Sequence, residues 1–313
     1  MENAKFIISL DFELKWGVFD ALDEKYDKNL LGVRDAIPKI LELFKQYDIH
    51  ATWATVGMLF NQSKEDFELY KPKHLPSYNN SNLNPYINNV IGKNEKEDKL
   101  YYGHELIKLV QSYENQEIAS HAYSHYNALA CGQTIVEFED DVKSAIKIAK
   151  DKFNIDLRSY VFAKNEIKEE YLLVLEKHGF IICRSNPNHT LYNQGQNLNK
   201  FQKIIRYADS YINLTGKYNS VLKKEEKISF VQGDRFLRPH KNKIFSFLMK
   251  RRIKSEMLYA AKNNKIYHLW WHPHNFGICL EENLTNLKDI LKYYKYLNEK
   301  YKMESLCMCE LVT

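Results

Sequence analysis

Residues 5 to 13 read KFIISLDFE, a short apolar and β-branched run that closes on two carboxylates, Asp11 and Glu13. Apolar residues at both parities over residues 5 to 11 predict a strand covered on both faces, as in a parallel sheet, with its polar chemistry at the carboxyl end. Asp11 and Glu13 stand two apart and share a face if the strand reaches that far. Two converging carboxylates are costly unless a cation joins them; the alternative is an acidic strand end that caps a neighbouring helix.

Working outward, residues 33 to 47 (VRDAIPKILELFKQY) carry apolar residues at helical spacing, and HATWATVG, residues 50 to 57, reads as a second buried strand. A strand, a helix and a strand in this order predict a parallel sheet with right-handed crossovers. The unit recurs. A helix is expected from His104 to Tyr113, then a short strand in EIASH, then an amphipathic helix over 134 to 152 with Thr134 and Glu137 in capping-box spacing. A strand over 158 to 163 ends in Lys164, Asn165 and Glu166, a helix over 168 to 178 stops at Gly179, and FIICRS gives the next strand. Residues 186 to 232 are weakly patterned, 245 to 264 read as a helix with basic residues on one side, and KIYHLWWHPHNFG, residues 265 to 277, reads as an aromatic strand delivering His272 and His274. A long helix over 283 to 301 and a last short strand close the chain. Periodicity alone supports an α/β barrel or an open sheet, with its active face at the strand carboxyl ends.

Residues 61 to 100 interrupt this alternation with an Asn-, Lys-, Glu- and Pro-rich stretch, read as a long insertion in one catalytic domain spanning residues 1–313. The composition, 44% hydrophobic and 13% aromatic in 313 residues, suffices for a sizeable core. Lys and Arg number 45 against 40 Asp and Glu, a mild scattered excess that gives no reason to expect nucleic-acid binding. Five widely spread cysteines suit reduced thiols better than a disulfide framework. The amino-terminal residues lack the apolar segment of a secretory signal and no stretch is apolar enough to span a bilayer, so a cytoplasmic location is expected.

The second chemical signal is EIASHAYSHY, residues 117 to 126. On a helical turn His121 and His125 would occupy one face, where two imidazoles can close on one metal ion. The plain alternative is a pair of surface histidines.

Taken together, SLDFE, SHAYSH and HLWWHPHNFG resemble three motifs of the polysaccharide deacetylases, carbohydrate esterase family four. FVQGDRFLRP, RSYVFAKNE and LWWHPHNFG look like a subgroup that serves surface-polysaccharide and O-antigen biosynthesis. The resemblance implies a distorted (β/α) barrel of about seven strands and a metal-dependent hydrolase that removes an N-acyl group, N-acetyl first, from an amino sugar. It implies Asp11 as base, Glu13, His121 and His125 as ligands of one divalent metal (zinc, with cobalt, nickel or manganese as alternatives), and His272 as general acid. Asp11 and Glu13 can exchange roles, since Phe12 separates carboxylates that are adjacent in most of the family.

Ala122 stands where a supporting Thr or Ser is usual. Lys164 stands near where an arginine usually orients the base, and is assigned to fix that carboxylate, although lysine cannot make the two-pronged contact of arginine. Trp271, His274 and Asn275 are expected beside the substrate, with Trp270 the neighbouring alternative to Trp271 and packing the plainer role for both tryptophans. Arg238, in RFLRP, is expected either in a structural turn or on the phosphate of a nucleotide- or lipid-linked sugar. The rivals are a catalytically impaired carbohydrate-binding relative and a deformylase.

Overall fold

The computed structural model describes residues 3–192, 198–217, 222–224 and 228–312. Among the described residues ten strands form one sheet: β1 (Lys5–Phe12), β2 (Ala51–Thr55), β3 (Gln116–Ser120), β4 (Ser159–Tyr160), β5 (Ile182–Ser185), β6 (Lys223–Lys224), β7 (Ser229–Gln232), β8 (Arg235–Phe236), β9 (Ile266–Trp271) and β10 (Glu304–Leu306). Their order is β6-β7-β5-β4-β3-β2-β1-β9-β8, with β10 added on β1. Every pairing is parallel except β6 with β7, so eight parallel strands lie along the main path against the about seven expected.

Connectivity shows that this sheet is rolled. β7 lies near one end of the order and β8 at the other, yet only Gly233 and Asp234 join them. Three Cα steps span at most about 11 Å, so the two edges must approach to that distance. The backbone N–H of His268 in β9 donates to Asp234 Oδ2 at 2.7 Å and helps fasten the seam.

The rolled sheet separates two apolar layers. Along β1, Phe6, Ile8, Leu10 and Phe12 join the large outer core beneath the helices, while Ile7 joins a smaller inner cluster with Ala54, Val161, Ile182, Val231, Ile266 and Met308. Strand alternation then sends Ser9 and Asp11 into the barrel above Ile7. The outer layer is formed by α1 (Asp27–Leu31), α2 (Val33–Tyr47), α3 (Lys64–Tyr70), α4 (Pro85–Asn88), α5 (His104–Gln111), α6 (Ile135–Phe153), α7 (Glu169–Lys177), α8 (Lys200–Asp209), α9 (Lys243–Lys262) and α10 (Leu280–Tyr301).

The sequence expectations for these elements are met where periodicity was long. The capping box of α6 forms as read, Thr134 accepting from the Glu137 N–H while the Glu137 carboxylate accepts from Thr134. The strand expected over 158 to 163 shortens to two residues, because the chain turns through left-handed conformations at Lys164 and Asn165. Residues 61 to 100 hold α3, α4 and turns, tied by a bridge between Ser63 and Asn94. No helix among the described residues is long and apolar enough to cross a membrane.

Candidate active site

Asp11 leaves the end of β1 pointing into the barrel and is 3% exposed. Its partner is Arg184 of β5, which donates from both terminal nitrogens to the two carboxylate oxygens at 2.6 Å each. In a flat sheet β5 and β1, four places apart, would be separated by about 19 Å. The barrel's curvature lets the guanidinium cross its interior. Ser9 Oγ accepts from Arg184 at 2.9 Å, Asn165 Oδ1 accepts at 3.0 and 2.8 Å, and the indole of Trp270 lies 4.3 Å from the guanidinium carbon. Burial works against ionising Asp11, but the charge and hydrogen bonds of Arg184 outweigh it and hold the carboxyl below its ordinary range.

This geometry corrects the role expected of Lys164. Its ammonium pairs with Asp20 at 2.8 Å, at the rim of the cleft, while a two-pronged guanidinium from another strand orients Asp11. Sequence reading missed Arg184. The available signal was a lone positive charge at the end of an otherwise apolar strand, FIICRS, where only a buried partner could justify it.

Glu13 follows β1 and turns inward toward two imidazoles. Its Oε2 is 3.5 Å from Nε2 of His121 and 3.2 Å from Nε2 of His125. A Cβ on Gly17 would fall 2.1 Å from the Glu13 carboxyl carbon, so the missing side chain there makes room for this carboxylate. Burial opposes the Glu13 charge, yet His272, His121 and His125 around it hold the carboxyl well below its usual range. Burial likewise pushes His125 down, against the pull of Glu13.

The two histidines converge by a route other than the helical turn expected. Residues 121 to 125 form a loop in which Ala122 and His125 take left-handed conformations, φ 63° and 53°. Asp141 of α6 anchors it, accepting from the N–H groups of Tyr123 (2.7 Å) and Ser124 (3.1 Å) and from the Ser124 hydroxyl. Burial raises the Asp141 carboxyl to about 6 despite these three donors. Ala122, fully buried, supports the loop through its carbonyl, which accepts from Gly57 N–H at 2.8 Å. His121 Nδ1 lies 2.7 Å from the Val161 carbonyl. A carbonyl only accepts, so Nδ1 carries a proton, which makes Nε2, on the Glu13 side, the nitrogen a metal would take from the neutral ring.

Tetrahedral donors about 2.1 Å from one ion sit about 3.4 Å apart, close to the 3.2 and 3.5 Å separations around Glu13. Glu13, His121 and His125 therefore fit a divalent metal in number and spacing. Glu13 also groups with His272 and His274. A third group, His50, Cys307 and Glu310, lies at the other end of the sheet and is engaged internally, Glu310 accepting from the Cys307 N–H at 2.6 Å and meeting His50 Nδ1 at 2.8 Å.

His272 faces the carboxylates from the end of β9, its Nε2 3.6 Å from Glu13 and 3.8 Å from Asp11. His274 stacks on it at 4.9 Å, is buried, and has its pKa lowered to about 3, chiefly by burial. Asn275 is buried beneath the loop, donating to the Tyr26 hydroxyl at 3.3 Å. Trp271 does not reach the cleft: it is fully buried in the outer core, stacked on Phe276. Trp270, of the same parity as His272, is the indole that lines the cleft. Arg238 lines it as well, with Nε donating to Ser210 at 3.2 Å and its guanidinium over Tyr207 and Phe236. Arg235, from the same RFLRP segment, is buried in ion pairs with Asp209 and Glu256. The cleft holds about 520 Å³, with Asp11, Glu13, His121, His125 and His272 among its lining.

Comparison with known proteins agrees with this architecture. A polysaccharide deacetylase family model matches residues 19–182, just over half of the chain. That span holds His121, His125 and Lys164. No curated protein matches the chain. In structure the chain is similar to a putative polysaccharide deacetylase from Mycobacterium smegmatis (TM-score 0.62, 9% identity, covering 99% of this chain and 89% of that one). It is also similar to a probable polysaccharide deacetylase from Pseudomonas aeruginosa PAO1 (TM-score 0.54, 11% identity, 98% and 87% covered) and to Puue allantoinase (0.53, 13%, 96% and 85%). At these identities the structural likeness establishes the fold, a rolled parallel sheet with surrounding helices. With the family model spanning more than half of its length, the chain belongs to the polysaccharide deacetylase family.

Proposed function

We propose that this protein is a metal-dependent hydrolase that removes an N-acyl group, N-acetyl first, from an amino sugar used in surface-polysaccharide assembly. The observation that carries the reading is the Asp11 carboxylate, clamped by Arg184, beside the Glu13–His121–His125 group on the wall of an open cleft, with His272 facing both carboxylates.

Glu13, His121 and His125 would hold the ion. Two imidazoles and a carboxylate suit zinc first, with cobalt, nickel and manganese as the other candidates. When bound, such an ion lowers the pKa of a water from about 15.7 to about 7 and polarises an acyl oxygen.

The chain's own groups do the rest. Asp11, kept ionised and oriented by Arg184, accepts the proton of the attacking water. It is too weak a base to deprotonate unassisted water, so base and ion are required together. The hydroxide oxygen adds to the amide carbon; the C–N bond then breaks as His272 Nε2 delivers a proton to the departing amine. His274, neutral and stacked, keeps the His272 ring in place. Trp270 and Phe236 offer apolar faces to a sugar ring, and Arg238 a guanidinium to a phosphate on a nucleotide- or lipid-linked substrate. The guanidinium on Asp11 favours a working enzyme over a catalytically impaired relative.

The test is metal content together with product. The parent should bind one zinc or cobalt and release acetate from a panel of N-acetyl amino sugars. His121→Ala/His125→Ala should lose the metal. Unchanged stoichiometry in that variant would refute the ligand assignment, and formate rather than acetate release would reassign the acyl group.

A further inference from the structure

Beside the cleft, α8 and the start of α9 leave large apolar side chains in water. Phe201, Ile204, Ile212, Leu214, Ile244 and Phe247 are each more than half exposed. In α8 the apolar positions Phe201, Ile204, Ile205 and Ala208 recur at helical spacing, which would ordinarily mark the face a helix buries. Here Phe201 and Ile204, on that stripe, point outward.

The two helices form one surface. Tyr211, just past α8, packs edge-on against Phe245 at 4.8 Å, and the Lys241 ammonium lies within 6 Å of both the Tyr207 and Phe245 rings. Among the described residues of these two segments the exposed charge has one sign. Residues 237–254 contain no Asp or Glu, and residues 198–217 contain only Asp209, which is buried against Arg235. Lys200, Lys203, Lys241 and Lys243 are exposed around the apolar side chains.

We infer that this face is a docking surface for an anionic lipid bilayer. Apolar side chains bordered by lysines match the two layers of such a surface, acyl chains within and phosphates around them. A second copy of the chain fits poorly, because a twofold contact would bring the same basic patch against itself. Arg206 of α8 and Arg238 both line the cleft, so the docked face and the cleft share a rim. The docking stands apart from the hydrolytic reading. Its consequence, that the substrate is an N-acyl sugar carried on a membrane lipid phosphate, rests on that reading.

The experiment is co-sedimentation of the full chain with phosphatidylcholine vesicles, with and without phosphatidylglycerol. The parent should pellet with the anionic vesicles and be released by salt. Phe201→Ser/Ile204→Ser and, independently, Lys200→Glu/Lys203→Glu should each lower the partition on the order of tenfold, with unfolding transitions like the parent's, since all four residues are exposed. A parent that stays in the supernatant, equal binding to neutral vesicles, or parent-like binding by both variants would overturn the proposal. So would a dimer in sedimentation velocity that the Phe201/Ile204 variant dissolves. His121→Ala/His125→Ala should bind vesicles as the parent does, so a failed metal assignment cannot be mistaken for a failed docking surface.

Discussion

Arg184 and Arg235 are both buried against carboxylates, and only the carboxylate held by Arg184 opens on the active-site cleft. Arg184 grips Asp11, while Arg235 grips Asp209 (2.9 Å) and Glu256 (2.5 Å). Burial and pairing alone do not distinguish them, since both guanidiniums are almost wholly enclosed. The difference lies on the far side of each carboxylate. Asp209 and Glu256 are also approached by Arg252, and Asp209 accepts from Tyr192 and from the N–H groups of Leu214 and Thr215. Asp11 instead opens on the cleft, with His272 and the Glu13 group as neighbours. A carboxylate taken up by buried donors stabilises a seam, whereas an oriented carboxylate with an open side can take a proton.

The largest expected effect separates the two arginines. Arg184→Met leaves Asp11 buried without its counter-charge and should cost about 3–5 kcal/mol by chemical denaturation. The unpaired carboxyl would also tend to protonate, so hydrolysis should fall by about 10²-fold or more in protein that remains folded. Arg235→Met should cost stability in the same range or somewhat less, because Arg252 remains, with kcat nearly unchanged. Equal loss of activity in the two folded variants would break the distinction.

A smaller effect tests the Arg235–Asp209 pair by pH. Arg235 outweighs the burial of Asp209 and lowers its carboxyl from 3.8 to about 2. Because the folded value lies below the unfolded one, the stabilisation is complete above about pH 4 and is lost as pH falls through 2. A shift of this size corresponds to about 2 kcal/mol. Denaturation midpoints of Asp209→Asn should therefore vary less over this acid range than those of the parent. Parallel acid limbs would show that the pair does not act through this carboxylate.

The same contrast explains what could be read from the sequence. Asp11, Glu13, His121, His125 and His272 stand at or just beyond strand carboxyl ends, where alternation and parallel topology already point, and the structure brings them together. Arg184 was hidden because its partner lies 173 residues away, and a strand-by-strand reading sees only an arginine after Cys183. Parity with His272 favours Trp270, not Trp271, for the barrel interior, a distinction that composition alone does not make. The loop of His121 to His125 depends on left-handed residues and on Asp141, which spacing does not encode. α8 fell in a region of weak pattern because its apolar stripe is diluted by exposed lysines and completed by no apolar partner in sequence.

The smallest effect concerns the residue that sequence reading placed on the base. Lys164 is partly exposed and pairs with Asp20 across the rim. Such a pair contributes about 0–1 kcal/mol, so Lys164→Ala should scarcely move the denaturation midpoint. Asp11 keeps its two-pronged partner in that variant, and kcat should change by no more than a few-fold. A loss approaching that of Arg184→Met would mean that the lysine leaves Asp20 and reaches the substrate or Asp11 during turnover. The rim would then be part of the catalytic machinery, and the line drawn between the clamped carboxylate and its surroundings would have to include it.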